Sequence, residues 1–168
     1  MTLGADEGWA DEFQRVVESR FNLLSDSPEC WFDASRRNTL TDMIRLAVAS
    51  HFMTGESLAT VEWIRQTGRP FATAIQMIAP IRLSNPDGLP DSAELSRGVQ
   101  RDANGAAIGY HFRVSHPTEF FDARSFQWKY VPARKPWGRV QVIHIAEQLQ
   151  PGQTRGVADM VSVLKNMR

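Results

Sequence analysis

A chain of 168 residues is long enough to bury one core, and 42% hydrophobic with 23% charged residues is an ordinary globular composition. Nineteen basic residues balance nineteen acidic ones, so the cationic excess that drives tight binding to nucleic-acid phosphates is absent. Cys30 is the single cysteine, which excludes an internal disulfide framework, and no apolar run approaches the ~20 residues that span a bilayer. With no signal-peptide pattern, these features fit synthesis in a reducing cytoplasm. The charge is unevenly placed. Residues 1–35 carry eight acidic and two basic groups, and residues 97–139 carry eight basic and three acidic ones. That dipolar layout suits head-to-tail contact between copies, or simply two solvated faces.

Trp9, Phe13, Val16, Val17 and Leu24 recur at helical spacing and predict an amphipathic helix over 9–24. A proline-bearing turn over 25–30 ends it. Cys30, beside Pro28, Trp31 and Phe32, reads as a packed or half-buried thiol rather than a nucleophile. Thr39 followed by Asp42 is a capping-box pattern, with Leu40, Met43, Ile44 and Ala47 as the expected buried stripe and Gly55 as the left-handed stop. The period then changes to alternation. Ala59, Val61 and Trp63 share one face of a strand, and Phe71, Ile75 and Met77 share one face of the next, joined as an antiparallel hairpin.

Residues 85–91 hold two prolines and a glycine and form a loop. Asn104-Gly105 then marks a hairpin turn, since this pair tolerates positive φ. In the following strand Ile108, Tyr110, Phe112 and Val114 form the dry face, and Gly109, His111 and Arg113 the wet one. Val140 to Ala146 is a β-branched strand, 151–156 a shaped loop, and Val157, Met160, Val161 and Leu164 the apolar stripe of a closing helix. Helices first, an antiparallel sheet next and a helix last give the α+β class.

The chemistry-bearing motifs are sparse. No G-x-x-x-x-G-K-S/T phosphate loop, G-x-S-x-G elbow or H-E-x-x-H helix is present. His144 and Glu147 form an H-x-x-E, but on an extended segment that spacing points them to opposite faces. Each histidine reads as structural, with His111 on a polar strand face and His144 bonded within the sheet. No catalytic residue, metal ligand or cofactor site is assigned. Two segments stand out. The stretch 128–139 mixes Lys129, Arg134, Lys135 and Arg139 with Trp128, Tyr130 and Trp137, a pattern that can stack bases and track phosphates, or can be a surface loop anchored by its tryptophans. Pro151, Gly152, Gln153, Arg155 and Gly156 make a candidate elbow and subunit-contact loop, in which Arg155 would bridge to a carboxylate of a neighbouring subunit. The alternative is an ordinary strand-to-helix connection.

The run Arg139 to Leu164, RVQVIHIAEQLQPGQTRGVADMVSVL, resembles the phage portal proteins of the lambda-like family, where a V-I/L-H strand leads into P-G-Q-x-R-G-V and a helix. The resemblance continues in order upstream. Thr39 to Ala47 with Gly55-Glu56 resembles that family's helix and its "GE" exit. Ile75 to Pro86 is similar to its Q-L-I-x-P-D-R-L-x-x-P segment, and Gly98-Val99, Asp102, Gly105 and Ile108 to His111 to its G-V-x-x-D-x-x-G-x-P-x-A-Y-H hairpin. His116-Pro117 and Val131 to Arg134 fall in sequence. Ile81 stands where the family usually has an acid, and Ala107 or Ile108 where it often has proline.

The resemblance implies a fragment of a portal protein, residues 1–168 forming part of its outer wing as one domain. Residues 1–38 would be a helical lead-in, 39–55 a helix, 56–147 the antiparallel sheet region, and 148–168 loop and helix. It further implies a subunit of a ring of about a dozen copies at the capsid vertex, the conduit through which double-stranded DNA is packaged and ejected. Terminase, major capsid or scaffold protein and head-completion proteins would be its partners, with no membrane and no activity as an enzyme. The protein would be made in the host cytoplasm and end in the virion. The fragment alone is expected to be a monomer or weak oligomer. The readings that compete are a small α+β enzyme or ligand-binding domain, which requires a deep polar pocket, and a basic-loop nucleic-acid module, which requires salt-sensitive binding through the 128–139 cations.

Overall fold

A computed structural model describes residues 7–119 and 121–161. Two helices precede two antiparallel sheets, an α+β arrangement as expected. Helix α1 spans Glu7–Ser25 and α2 spans Leu40–Thr54. Strands β1 (Glu56–Trp63), β2 (Thr73–Ile78) and β7 (Val142–Ala146) form one sheet in the order β2-β1-β7. Strands β3 (Leu95–Ser96), β4 (Val99–Arg101), β5 (Ala107–Arg113) and β6 (Trp128–Pro132) form the other, in chain order. The expected closing helix falls largely outside the described residues. No helix among the described residues is long and apolar enough to cross a membrane.

The capping box predicted at Thr39 is formed. Its hydroxyl accepts from the Asp42 N–H at 3.3 Å, and the Asp42 carboxylate accepts from the Thr39 N–H at 3.3 Å. At the far end Gly55 sits at φ 81° and donates its N–H to the His51 carbonyl at 2.7 Å. The chain then enters β1 with no spacer, so the helix stop is also the strand start. Of the expected stripe, Met43 is buried but Ile44 is 56% exposed. The helix packs chiefly on β1, which covers a narrow line rather than a broad face.

Between the helices the chain turns on Asp33, which is 2% exposed. Its carboxylate accepts from the Ser35 N–H and hydroxyl and from the Asn38 backbone and side chain, at 2.7–3.1 Å. Burial pushes this carboxyl up, but the hydrogen bonds from Ser35, Asn38 and Arg37 outweigh it and hold it below its ordinary value. The same segment extends the first sheet: the Ile75 N–H donates to the Phe32 carbonyl and the Ala34 N–H to the Ile75 carbonyl, both at 2.8 Å. Cys30 beside it is half-buried.

The two sheets enclose the core. Leu58, Ile78 and Val142 meet Leu83, Val99, Tyr110 and Phe112, with Val131 and Ala133 packed alongside. Register explains the choice of face. Leu58 lies opposite Ile78 and His144, and Thr60 opposite Val142, so Glu56, Leu58, Thr60, Ile78, Val142 and His144 all point one way. The sequence pattern favoured the other set, Ala59, Val61 and Trp63. Residues 56–60 are buried on both faces, so alternation carries no signal there. Phe71 lies outside β2 and is 39% exposed.

The single sheet expected over 56–147 is instead split in two, because β7 returns to pair with β1 rather than with β6. Gln141 makes that transfer. Its N–H donates to the Ala133 carbonyl at 2.9 Å while its side-chain amide donates to the Val61 carbonyl at 2.6 Å. The predicted strand start at Val140 is therefore delayed to Val142. The β4–β5 turn is as read: Gly105 has φ 87°, and the Asp102 carboxylate accepts from the Asn104 and Ala106 N–H groups at 2.9 and 2.8 Å. Of the predicted dry face, Tyr110 and Phe112 are buried, whereas Ile108 and Val114 lie at the strand's exposed ends. Gly109 is buried beneath the Tyr130 ring, which occupies the space a Cβ would need.

Leu58 and Val99 are among the most completely buried side chains. Truncating either to alanine is expected to cost about 2–5 kcal/mol, read as a lower urea midpoint with unchanged slope.

Candidate functional site

The PGQTRG loop closes on the strand-start carboxylate. Glu56 is 2% exposed, and an unpaired carboxylate in that position would carry a large desolvation penalty. Arg155 supplies the partner. Its Nε donates to both Glu56 oxygens at 2.8 Å, and Nη2 donates to Oε1 as well. Nη2 also donates to the Pro80 carbonyl at 2.8 Å, while Nη1 donates to the carbonyls of Leu83 and Arg97 at 2.7 and 3.0 Å. Each of the five guanidinium N–H bonds thus has an acceptor. His144 completes the set, with Nε2 at 3.0 Å from Glu56 Oε2 and its ring edge-on to Tyr110.

The loop is built to deliver that guanidinium. Gln153 staples it: its side-chain carbonyl accepts from the Leu149 N–H at 3.0 Å and its amide donates to the Arg155 carbonyl at 2.6 Å. Its own carbonyl accepts from Gln148 at 3.0 Å. Gly152 turns the chain at φ 80° beside exposed Pro151. Gly156 then lies directly against the Gly55 carbonyl, and Gly55 against the Val157 backbone, so a Cβ on either would overlap main-chain atoms. Here the helix stop, the strand start and the loop end meet backbone to backbone.

Arg155 therefore turns inward to a carboxylate of its own chain. His144 is bonded within the sheet, to Glu56 on the neighbouring strand. Glu56 itself was read only as part of a helix exit. The available signal was a lone acid heading a strand buried on both faces, which demands a cation from elsewhere in the chain.

Of the four cations of the other segment, only Lys135 and Arg139 come together. Lys129 is exposed on β6 and lines a cleft with Arg82 and Arg113. Lys135 and Arg139 line a different cleft of about 650 Å3, between Trp63 and Trp137. Arg134 caps its own turn, Nη1 donating to the Gly138 carbonyl at 3.1 Å. Trp128 is drawn inward, its indole N–H donating to Ser84 Oγ at 3.0 Å under the Arg113 guanidinium. A further cleft of about 470 Å3 lies beside the elbow, between Arg101, residues 104–107, His144 and Thr154.

Burial pushes the Glu56 carboxyl up, but hydrogen bonds from His144 and Arg155 and the Arg155 charge more than offset this and hold it down at about 2, against an ordinary 4.5. A depressed folded-state value means the stabilisation is complete above 4.5 and is lost as pH falls towards 2. It amounts to on the order of 3 kcal/mol. Glu56→Gln is expected to flatten the acid limb of stability in that window, measured by urea unfolding from pH 6 to 2.5. Arg155→Ala strands the carboxylate and is expected to cost about 3–5 kcal/mol at neutral pH, more than Glu56→Gln in a fold where the carboxylate is the costly partner. Gly156→Ala is expected to be as damaging as Arg155→Ala, because the loop can no longer approach Gly55.

Comparison with known proteins places this framework. The family model described as phage portal protein, lambda family, matches residues 2–168. The portal protein of Escherichia phage N15 is 34% identical over 166 residues, covering 99% of this chain and 31% of its own length. Portal protein B of Escherichia phage lambda matches with the same identity and coverage. The chain thus spans about a third of the length of these curated relatives. With the ordered motifs falling on β1, the β4–β5 hairpin, β7 and the elbow, the chain belongs to the lambda family of phage portal proteins.

Proposed function

We propose that this chain forms part of the outer α+β body, the wing, of a portal subunit. Such subunits assemble into a homo-oligomeric ring at one vertex of the phage head, through which double-stranded DNA is packaged and ejected. The observation that carries this reading is the family match over nearly the whole chain. The geometry supports a structural task, since the most strongly perturbed carboxylate among the described residues, Glu56, is fully engaged by Arg155 and His144 and holds the fold together. An acid so engaged is not free to exchange protons with a substrate, which argues against the enzyme reading. Lys129 lies in a different cleft from Lys135 and Arg139, and Arg134 is turned to its own loop, which argues against one continuous groove tracking a phosphate backbone. Terminase, capsid or scaffold protein and head-completion proteins are the partners this role entails, and the finished protein resides in the virion.

A chimaera tests it. The matching third of the lambda portal protein is replaced by this chain, with the corresponding N15 segment as the control exchange. The expected outcome is ring particles by electron microscopy and DNA-filled heads, both abolished by Arg155→Ala. Rings from the N15 exchange but none from a soluble exchange of this chain would overturn the assignment.

A further inference from the structure

Helix α1 carries a stripe that the described residues leave open. Trp9, Phe13, Val17 and Phe21 are 61%, 57%, 47% and 49% exposed, and Trp9 stacks on Phe13 at 5.4 Å. Four-residue spacing puts them on one side of the helix. The helix is anchored at its C-terminal end, where Leu24 is buried and Phe21 meets Phe32 edge-on. Exposed around the stripe are Asp11, Glu12 and Glu18 against Arg15 and Arg20, Glu12 being paired with Arg15 at 2.7 Å, with Asp26 and Glu29 just beyond. Apart from Arg20 the stripe is apolar, and its margins carry an acidic excess.

The complementary surface is the cleft between β1 and the turn before β7. Trp63 and Trp137 form its walls, 56% and 71% exposed, and Lys135 and Arg139 its rim. The Arg65 and Arg139 guanidinium groups each stand 6.0 Å from the Trp63 ring centre, so the aromatic wall is framed by cations. No residue of α1 lines this cleft. Its volume, about 650 Å3, accommodates aromatic side chains.

We infer that the aromatic stripe of α1 on one copy docks into the Trp63–Trp137 cleft of the next copy. The occupant is a second copy because each surface supplies what the other lacks: aromatic side chains meet an aromatic cleft, and an acidic margin meets a basic rim. The patches are distinct, so the contact is heterologous, and a heterologous contact propagates from copy to copy until its rotation closes a ring. This inference rests on the ring reading above and assigns it a contact.

Directional cross-linking of the 168-residue chain is the test. In a Cys30→Ser background, Phe13→Cys and Trp137→Cys are made separately, checked for native circular dichroism, and treated with a short bismaleimide at millimolar chain concentration. The expected result is a covalent dimer in the mixture at about ten times or more the yield of either chain alone, as a truncated aromatic anchor still leaves the flanking contacts in place. A chain carrying both cysteines should give a ladder of higher oligomers. Sedimentation of the unlabelled chain should show association that weakens about tenfold or more with Trp137→Ala, and also with Lys135→Glu or raised salt. Equal yields in mixed and unmixed samples mean a symmetric or random contact and overturn the proposal. So does the absence of any mixed product. Rings in the chimaera without this cross-link would leave the portal assignment standing and remove only the contact.

Discussion

Everything in this fold is arranged around one buried carboxylate that cannot be left alone. Glu56 stands where α2 stops and β1 starts, under the cover of both sheets. Burying it is tolerable only because Arg155 brings a full guanidinium fork to it. That fork also collects the carbonyls of Pro80, Leu83 and Arg97, from the 3-10 turn after β2 and from the bend between β3 and β4. One side chain thereby ties the first sheet, the second sheet and the elbow to a common point. The Pro80 carbonyl also accepts from the Leu83 N–H, but the arginine adds donors for all three, so it satisfies backbone as well as charge.

Shape and charge reinforce each other at that point. The guanidinium arrives only if the loop can lie against the helix stop, and it can do so only because glycine occupies both sides of the contact, at 55 and 156. Gln153 fixes the loop before the arginine is placed, so little freedom remains to be lost when the pair forms. The PGQTRG sequence is thus a single device: a turn, a staple, a cation and a clearance. Such a joint couples any displacement of the elbow directly to β1 and α2.

Much of this was legible in the sequence, and the failures have physical causes. The caps of α2, the Asn104-Gly105 hairpin and the α+β order depend on local chemistry, which neighbouring residues disclose. The elbow was legible as a shaped loop, because proline and glycine declare themselves. Its purpose was not, since Arg155 finds its partner 99 residues away, and the arginine was expected to look outward. The face of β1 was misjudged because strands buried on both sides lose their alternation. The basic segment looked coherent along the chain, yet β6 and the following turn send its cations to different surfaces. Spacing in sequence could not reveal that Trp63, far upstream, would become the wall opposite Trp137.

The 99-residue separation between Glu56 and Arg155 also sets an order of events during synthesis. A ribosome delivers β1 long before it delivers the elbow. Until then the nascent chain holds an acid without the guanidinium that meets it in the finished fold. Burying β1 early is therefore unfavourable, and the first sheet gains its full stability only after residue 155 has emerged. The fold thus has a late checkpoint: the central strand of its first sheet is committed by the arrival of the loop that follows β7.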